Sequence, residues 1–319
     1  MSVSEPGKDR STCYILSLDG GGAKGFYTLG VLRELEGLLG TPLCQKFDLI
    51  FGTSTGSIIA ALLAIGRSVE DVHDLYNEHV PRIMRAKSPS AKSLKLGEAG
   101  EAAVGDMRFD AVRTGLGIVA AKWQVETPMI FKSTPEQAHG RKATFVPGFG
   151  CTLSDAVQAS SSAYPFFERK WVTTHQGDNV ELVDGGYCAN NPTLYALADA
   201  VAAFGVKPEQ CHVLSLGTGN YPEPKPTLVK RVVKNLRSVQ LLQKTLSVNT
   251  ASMEQLRRVL FPQTPTVRID DTFDHPEMAT DFLEHDMAKL NLLRQRGAES
   301  FASREFEIVE LLGERDGHS

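Results

Sequence analysis

Four short, largely apolar runs in this chain each lead into a glycine-rich turn, and this recurring pattern limits the fold more than any other feature. The runs end at Leu18, Phe51, Val183 and Leu216. Short apolar runs that stop at glycine are typical of buried strands. The first two runs are followed by segments with apolar residues at helical spacing. That alternation of strand and helix predicts parallel strands joined by crossover helices, an α/β fold.

Periodicity predicts the remaining elements and a division of the chain. Helices are expected at 26–39, 57–64, 68–80, 153–161, 192–204, 227–260 and 278–296. Further strands are expected at 126–132, 142–146 and 264–274. A proline cluster at Pro222, Pro224 and Pro226 marks a boundary. We therefore expect a core at 13–219 and a mainly helical C-terminal part at 220–319 packed on it.

Two stretches of the sequence are basic. Segment 82–106 carries five cations before its first acid, Glu98, among many small residues, and we interpret it as a mobile insertion or lid. The cations of that segment fall within 82–95, and a second basic stretch spans 230–244. Either stretch fits an anionic nucleotide or anionic lipid headgroups, and each equally fits a solvated helix face.

Composition excludes several classes of protein. The 319 residues carry a net charge of -4, which argues against binding to a nucleic acid polymer. The five cysteines are scattered without a CxxC pair, so we expect free thiols rather than disulfides or a zinc site. The N-terminus is polar, and the longest apolar run, 58–65, is far shorter than the ~20 residues of a membrane-spanning helix. We expect a cytoplasmic protein that meets lipid only from the membrane's inner surface.

The segment Gly52-Thr53-Ser54-Thr55-Gly56 has the GxSxG pattern of a nucleophile elbow. In that elbow a tight turn between strand and helix exposes the serine hydroxyl at the N-terminus of a helix. An apolar strand precedes the segment and an apolar helix follows it, as the elbow requires. Taken alone, the pattern fits a simple tight connection equally well.

The segment Asp19-Gly20-Gly21-Gly22-Ala23-Lys24-Gly25 predicts a backbone site for an anion. It also matches GxGxxG, so a dinucleotide-binding oxidoreductase is one alternative. The acidic residue expected ~20 positions further on has no clear candidate, however. We favour an oxyanion hole, in which the N–H groups of the glycines face an acyl oxygen on Ser54.

Ser54 needs a base, and the histidines are poorly placed to supply it. The eight are His73, His79, His139, His175, His212, His275, His285 and His318. None follows a strand at a glycine turn, where the sites of α/β proteins assemble. Asp184 does so, in Val183-Asp184-Gly185-Gly186, although an Asp-Gly turn is common by itself. A buried carboxylate can accept a serine proton directly.

Together these three segments resemble the patatin-like phospholipase family. That family pairs a DGGGxKG or DGGGxRG loop with a GxSxG serine and a later DGG or DGA block, in the order found here. Two flanking segments also match, Ala159 to Pro165 with the family's ASxAxP and Asn190 to Pro192 after the third block. The resemblance covers about 13–219.

The resemblance implies a three-layer α/β/α fold with a mainly parallel sheet, and hydrolysis of phospholipid acyl esters without a catalytic cofactor or metal. Ser54 and Asp184 would form a catalytic dyad, and Gly20, Gly21 and Gly22 would hold the oxyanion. A non-enzymatic lipid- or nucleotide-binding module on the same fold is the alternative.

The chain also resembles bacterial phospholipase effectors of anti-phage signalling, which a cyclic dinucleotide switches on. This resemblance implies a cyclic dinucleotide as allosteric activator and membrane phospholipid as substrate. Assembly into a homo-oligomer is left open.

Overall fold

The structure, a computed structural model, describes residues 12–140, 142–224 and 235–313 and is built on one eight-stranded sheet. The strands are β1 Cys13–Leu18, β2 Leu49–Thr53, β3 Gly115–Lys122, β4 Thr127–Lys132, β5 Lys170–Thr173, β6 Asn179–Asp184, β7 Cys211–Leu216 and β8 Thr266–Ile269. Their order is β5-β6-β3-β2-β1-β7-β8, with β4 also paired to β3. The neighbours from β3 to β8 in this order are parallel, and β4, β5 and β6 pair antiparallel. The predicted mainly parallel sheet is confirmed.

Helices cover both faces of this sheet. They are α1 Gly25–Leu39, α2 Leu43–Lys46, α3 Thr55–Ala64, α4 Val69–Arg85, α5 Pro89–Val104, α6 Leu153–Ser160, α7 Gly186–Ala189, α8 Thr193–Ala198, α9 Asn235–Leu260, α10 Met287–Ala302 and α11 Glu305–Leu312. Side chains alternate between the faces of a strand. Leu16 and Leu18 of β1 therefore join the larger core with α1 and α3, whereas Cys13 and Ile15 join a second core with α8. This is the three-layer arrangement expected.

The C-terminal part is joined closely to the rest. Strand β8 extends the parallel sheet beside β7, and α10 packs against α1. A Cβ added at Gly30 would lie 2.0 Å from the Arg294 carbonyl oxygen, and one at Gly297 would lie 2.0 Å from that of Tyr27. Glycine at both positions thus allows the two helix backbones to approach each other. The boundary at residue 220 stays a prediction. Among the described residues, no helix combines the length and the apolar composition needed to cross a membrane.

Three local predictions differ from the structure. The strand expected at 142–146 is a short 3₁₀ turn, Lys142–Thr144. The strand expected at 264–274 shrinks to β8, and the helix expected from 278 begins only at Met287, where Asp286 caps it. The N-terminal part of the helix expected at 227–260 lies outside the described residues, as do residues 230–234 of the basic stretch 230–244.

The segment 82–106, expected to be a mobile insertion or lid, is mostly helical, since α4 continues to Arg85 and α5 fills most of the remainder. The Ser88 hydroxyl accepts the Ala91 N–H at 3.2 Å, and Pro89 occupies the first turn. Serine followed by proline is a helix start here rather than a loop. Lys92 is buried and donates to the Met84 carbonyl, so it joins α5 to α4. A lid role for this segment stays a prediction.

Candidate active site

Ser54 lies at the turn between β2 and α3, in a backbone conformation that non-glycine residues rarely adopt. Its φ is 53° and its ψ is -124°. A Cβ added at Gly52 would lie 2.2 Å from the Gly56 carbonyl oxygen, and one at Gly56 would lie 2.3 Å from that of Leu18. The two glycines of the GxSxG pattern are therefore required by packing. The predicted elbow geometry is present.

Ser160 holds this turn in place. Its hydroxyl accepts the Ser54 N–H at 2.9 Å and donates to the Val119 carbonyl of β3. The Ser57 hydroxyl donates to the Ser54 carbonyl at 2.7 Å. The sequence indicated Ser160 only as one residue of the matched segment Ala159 to Pro165. No local pattern shows that a serine at the end of α6 contacts the turn after β2.

Asp184 is brought to Ser54 by the two different directions in which strands pair with β3. Strand β2 is parallel to β3 and ends with Thr53 opposite Val119. Strand β6 is antiparallel and ends with Asp184 opposite Ala120, the next residue along. Strand β4 pairs with the opposite edge of β3, so β2 and β6 lie end to end along the same edge, and their C-terminal ends meet there. There the Ser54 side chain lies beside the Asp184 carboxyl, close enough for its hydroxyl to lower the pKa of that group.

The Asp184 carboxyl is buried, with 3% of the residue exposed. Burial raises its pKa to about 6, while the Ser54 hydroxyl and the hydrogen bond from the Gly186 N–H, 2.7 Å from Oδ1, lower it. A carboxylate of that pKa is ionised at neutral pH and is a stronger base than an exposed aspartate. No histidine lines the space around Ser54 within the described ranges, and His318 lies outside them.

The glycine loop after β1 faces the same space. A Cβ at Gly20 would lie 3.1 Å from that of Ser54, but the Gly20 N–H is donated to the Asn190 carbonyl at 3.0 Å. The expectation that Gly20 supplies an oxyanion donor does not fit this bond. The N–H groups of Gly21 and Gly22 have no acceptor within the described part of the chain, and both residues line the space beside Ser54.

That space, which we call the Ser54 cavity, has a volume of about 600 Å³. Ser54, Asp184, Gly21 and Gly22 form its polar end. The rest is almost wholly apolar, with side chains from α3, α4, α5 and α9 and from two flanking loops. Phe167 and Phe282 close it from the loops.

A polar cavity of about 460 Å³ lies on the other side of Gly21 and shares Gly21, Leu246 and Phe282 with the Ser54 cavity. Lys24 lines it and is 9% exposed. Burial lowers the pKa of Lys24, and nearby carboxylates led by Asp270 oppose that shift. Within the described residues the ammonium group makes no hydrogen bond or ion pair. Amide and hydroxyl side chains and the carboxyls of Asp19 and Asp270 form most of the remaining lining.

A serine on such an elbow, beside a buried carboxylate, defines the class of α/β serine hydrolases. The sequence matches the family model described as patatin-like phospholipase over residues 16–197. It is 57% identical over 310 residues to the cUMP-AMP-activated phospholipase of Escherichia coli, and the match covers 97% of both proteins. The chain belongs to the patatin-like phospholipase family and is a carboxylic ester hydrolase.

More distant relatives agree with this assignment. A cGAMP-activated phospholipase of Escherichia coli strain TW11681 is 28% identical over 233 residues, covering 66% of this chain and 63% of that protein. Patatin-like protein 2 of Arabidopsis thaliana is 30% identical over 261 residues, covering 68% and 62%. Family membership excludes the oxidoreductase alternative and the non-enzymatic module.

Proposed function

We propose that this enzyme cleaves acyl esters of membrane phospholipids through Ser54 and Asp184 and that a cyclic dinucleotide activates it. The observation that carries the catalytic part is the placement of Ser54 beside the buried Asp184 carboxyl at the polar end of an apolar cavity.

The chemistry uses groups of this chain alone. Asp184 accepts the hydroxyl proton as Ser54 attacks the ester carbonyl. The N–H groups of Gly21 and Gly22 and the N-terminus of α3 stabilise the negative charge on the carbonyl oxygen. Asp184 then returns its proton to the leaving alcohol. In the second half, Asp184 takes a proton from a water molecule that attacks the acyl carbonyl. The bond between that carbonyl and the Ser54 oxygen then breaks, Asp184 returns the proton to that oxygen, and the fatty acid leaves.

The two cavities support a phospholipid as the substrate. A phospholipid is apolar on one side of the scissile ester and polar on the other, and the cavities meet at Gly21 with the same polarity. With the acyl chain in the Ser54 cavity, the headgroup phosphate enters the polar cavity. There Lys24 lies over the Tyr221 ring and makes no hydrogen bond or ion pair within the described residues, and the neighbouring Asp19 and Asp270 are bonded to Arg268.

Helix α9 supports peripheral association with the membrane. Leu242 and Leu246 line the Ser54 cavity from this helix. Leu241, Val248 and Val259 on the same helix are each 69% exposed. Exposed aliphatic side chains beside cations are typical of helices that lie in the bilayer interface, and Lys244 and Arg258 supply the cations. This arrangement brings the cavity to the lipid surface.

The activator is supported by near full-length identity to a relative whose name is cUMP-AMP-activated phospholipase. The basic stretch at 82–95 is a weak candidate for the nucleotide site. Arg82 pairs with Glu78 at 3.0 Å, Arg85 reaches the His285 carbonyl at 3.3 Å, and Lys92 is buried. The stretch at 230–244 is the remaining candidate, and homo-oligomer formation stays open.

Hydrolysis of phosphatidylglycerol–phosphatidylethanolamine vesicles, with and without cUMP-AMP, tests the proposal. Wild type should release fatty acid in the presence of the dinucleotide, and Ser54→Ala should release none. A fluorogenic short-chain ester, assayed in parallel, reports the dyad independently of the membrane. Ester cleavage by wild type without any vesicle hydrolysis would overturn the lipid assignment. Equal vesicle hydrolysis with and without a panel of cyclic dinucleotides would overturn the activator.

A further inference from the structure

A second apolar cavity of about 540 Å³ lies among α3, α4, α5 and α6. Aliphatic side chains, alanines and one glycine form nearly all of its lining, and the only polar side chains are those of Tyr76 and His79. The Tyr76 hydroxyl is already bonded to Thr55. A space of this size and polarity suits an apolar ligand and offers nothing to a charged one.

The second cavity adjoins the Ser54 cavity. Four side chains line both spaces, namely Ile58 of α3, Val80 and Ile83 of α4, and Leu96 of α5. The two spaces are thus separated by one layer of aliphatic side chains. Ser54 lines the first space one helical turn from Ile58, whose N–H bonds the Ser54 carbonyl.

We infer that the two cavities form one acyl-chain site, in which the second cavity holds the distal carbons of a long fatty acyl chain. The inference rests on the proposed function, since it deepens the substrate assignment at Ser54. Long chains are then selected because each methylene removed from water is worth about a fourfold gain in affinity.

Small residues of α5 set the length of this site. Ala99, Gly100 and Ala103 follow helical spacing and face the second cavity together. The small side chains of Ala99 and Ala103 keep the space beside α5 open, whereas a Cβ at Gly100 would meet the Ser154 hydroxyl of α6 at 2.7 Å. A bulky side chain at Ala103 would fill the second cavity and leave the groups around Ser54 unchanged.

The test compares Ala103→Phe with wild type on esters of increasing acyl length, from four to sixteen carbons. The chain supplies a matched control, Ala102→Phe, because Ala102 is the next residue of α5 and is exposed. For Ala103→Phe we expect kcat/KM to stay within about twofold for the short esters. For the sixteen-carbon ester kcat/KM should fall about 50-fold, which is the loss expected if roughly three methylene groups are no longer buried. Ala102→Phe should keep the wild-type profile.

A profile that Ala103→Phe leaves unchanged, or lowers equally at every length, would overturn the inference while leaving the proposed hydrolysis intact. Binding of palmitate and octanoate, measured by calorimetry, gives a readout that needs no turnover. Palmitate should lose affinity in Ala103→Phe and octanoate should not. If Ala103→Phe does not fold, Leu75→Ala serves as a second variant, because it enlarges the same cavity. The acyl length that gives the highest kcat/KM should then be longer for Leu75→Ala than for wild type. An unmoved optimum would contradict the inference.

Discussion

The chain contains two Asp-Gly-Gly turns, and they have different roles. Asp19 directly follows β1 and Asp184 ends β6, and both are at most 3% exposed. Burial raises the pKa of both carboxyls, to about 7 for Asp19 and about 6 for Asp184. Sequence and burial alone would give the two aspartates the same function.

The difference lies in what faces each carboxylate. Arg268 donates two hydrogen bonds to Asp19, at 2.9 and 2.6 Å, and also bonds Asp270 and Ser215. Asp184 accepts the Gly186 N–H of its own turn and lies beside the Ser54 hydroxyl, and no cation of the described chain pairs with it. A buried carboxylate opposite arginine is an anchor between strands. A buried carboxylate opposite a hydroxyl is available as a base.

The largest expected effect separates the two aspartates by activity. Asp184→Asn and Ser54→Ala should each lower kcat on a short-chain ester by about 10⁴-fold, since loss of a proton-accepting or nucleophilic group has that scale. Asp19→Asn should remain within about tenfold of wild type. Steady-state kinetics on the three folded variants measures this. A folded Asp19→Asn as inactive as Asp184→Asn would end the distinction.

The second effect separates them by stability. Asp19→Ala removes the main partner of the buried Arg268 guanidinium and should cost on the order of 3 kcal/mol of unfolding free energy. Urea unfolding measures the loss. Replacing both Asp19 and Arg268 by apolar residues should recover part of it, because the buried guanidinium is removed as well and only the partly buried Asp270 then lacks its partner. No recovery in the double variant would contradict the anchor role.

Ser160 offers an intermediate test of how the elbow is held. Ser160→Ala leaves the Ser54 N–H and the Val119 carbonyl without their partner, which should cost about 1–3 kcal/mol. Ser162→Ala is the matched control, because its hydroxyl bonds only a helix carbonyl of the same chain segment, that of Gln158. Ser160→Ala should also lower kcat more than KM. Equal effects of the two variants on stability and kcat would show that Ser160 has no special role in positioning Ser54.

The smallest expected effect is a gain rather than a loss in the free energy of unfolding, and it concerns Asp184→Asn. The folded pKa of Asp184 lies above its ordinary value of 3.8, so the native state holds this proton more tightly than the unfolded chain does. The resulting stability is present at low pH and is lost as pH rises through about 6. Asp184→Asn should therefore be more stable than wild type at pH 8, by about 1–2 kcal/mol. A less stable Asp184→Asn would show that the charged carboxylate supports the fold.

Most of the sheet could be predicted from the sequence because its signals are local. Gly52 and Gly56 of the GxSxG pattern are needed because another backbone segment lies within contact distance of each, α3 for Gly52 and the end of β1 for Gly56. The apolar runs around the pattern mark strand and helix. The start of α5 was missed because Ser88 and Pro89 fit both a loop and a helix cap. Only packing distinguishes the two.

The site was predicted less completely, because its decisive contacts join distant parts of the chain. The pair Ser54 and Asp184 was correctly brought together, but the reason is the antiparallel pairing of β6, which no local pattern indicates. The bond from Gly20 to Asn190 and the pairing of Arg268 with Asp19 also depend on tertiary packing. The family resemblance, rather than periodicity, separated Asp184 from Asp19.

The central claim is that Asp184 is the base for Ser54, and the pH dependence of serine labelling tests it most directly. A fluorophosphonate probe bonds to a serine oxygen and releases fluoride, so intact-protein mass spectrometry gives the rate and the labelled residue. We predict labelling of Ser54 alone, with a rate that falls about tenfold per pH unit below about 6. Asp19→Asn should keep that profile and Asp184→Asn should not label. Labelling of Asp184→Asn at the wild-type rate, or a wild-type rate independent of pH between 4 and 8, would contradict the account.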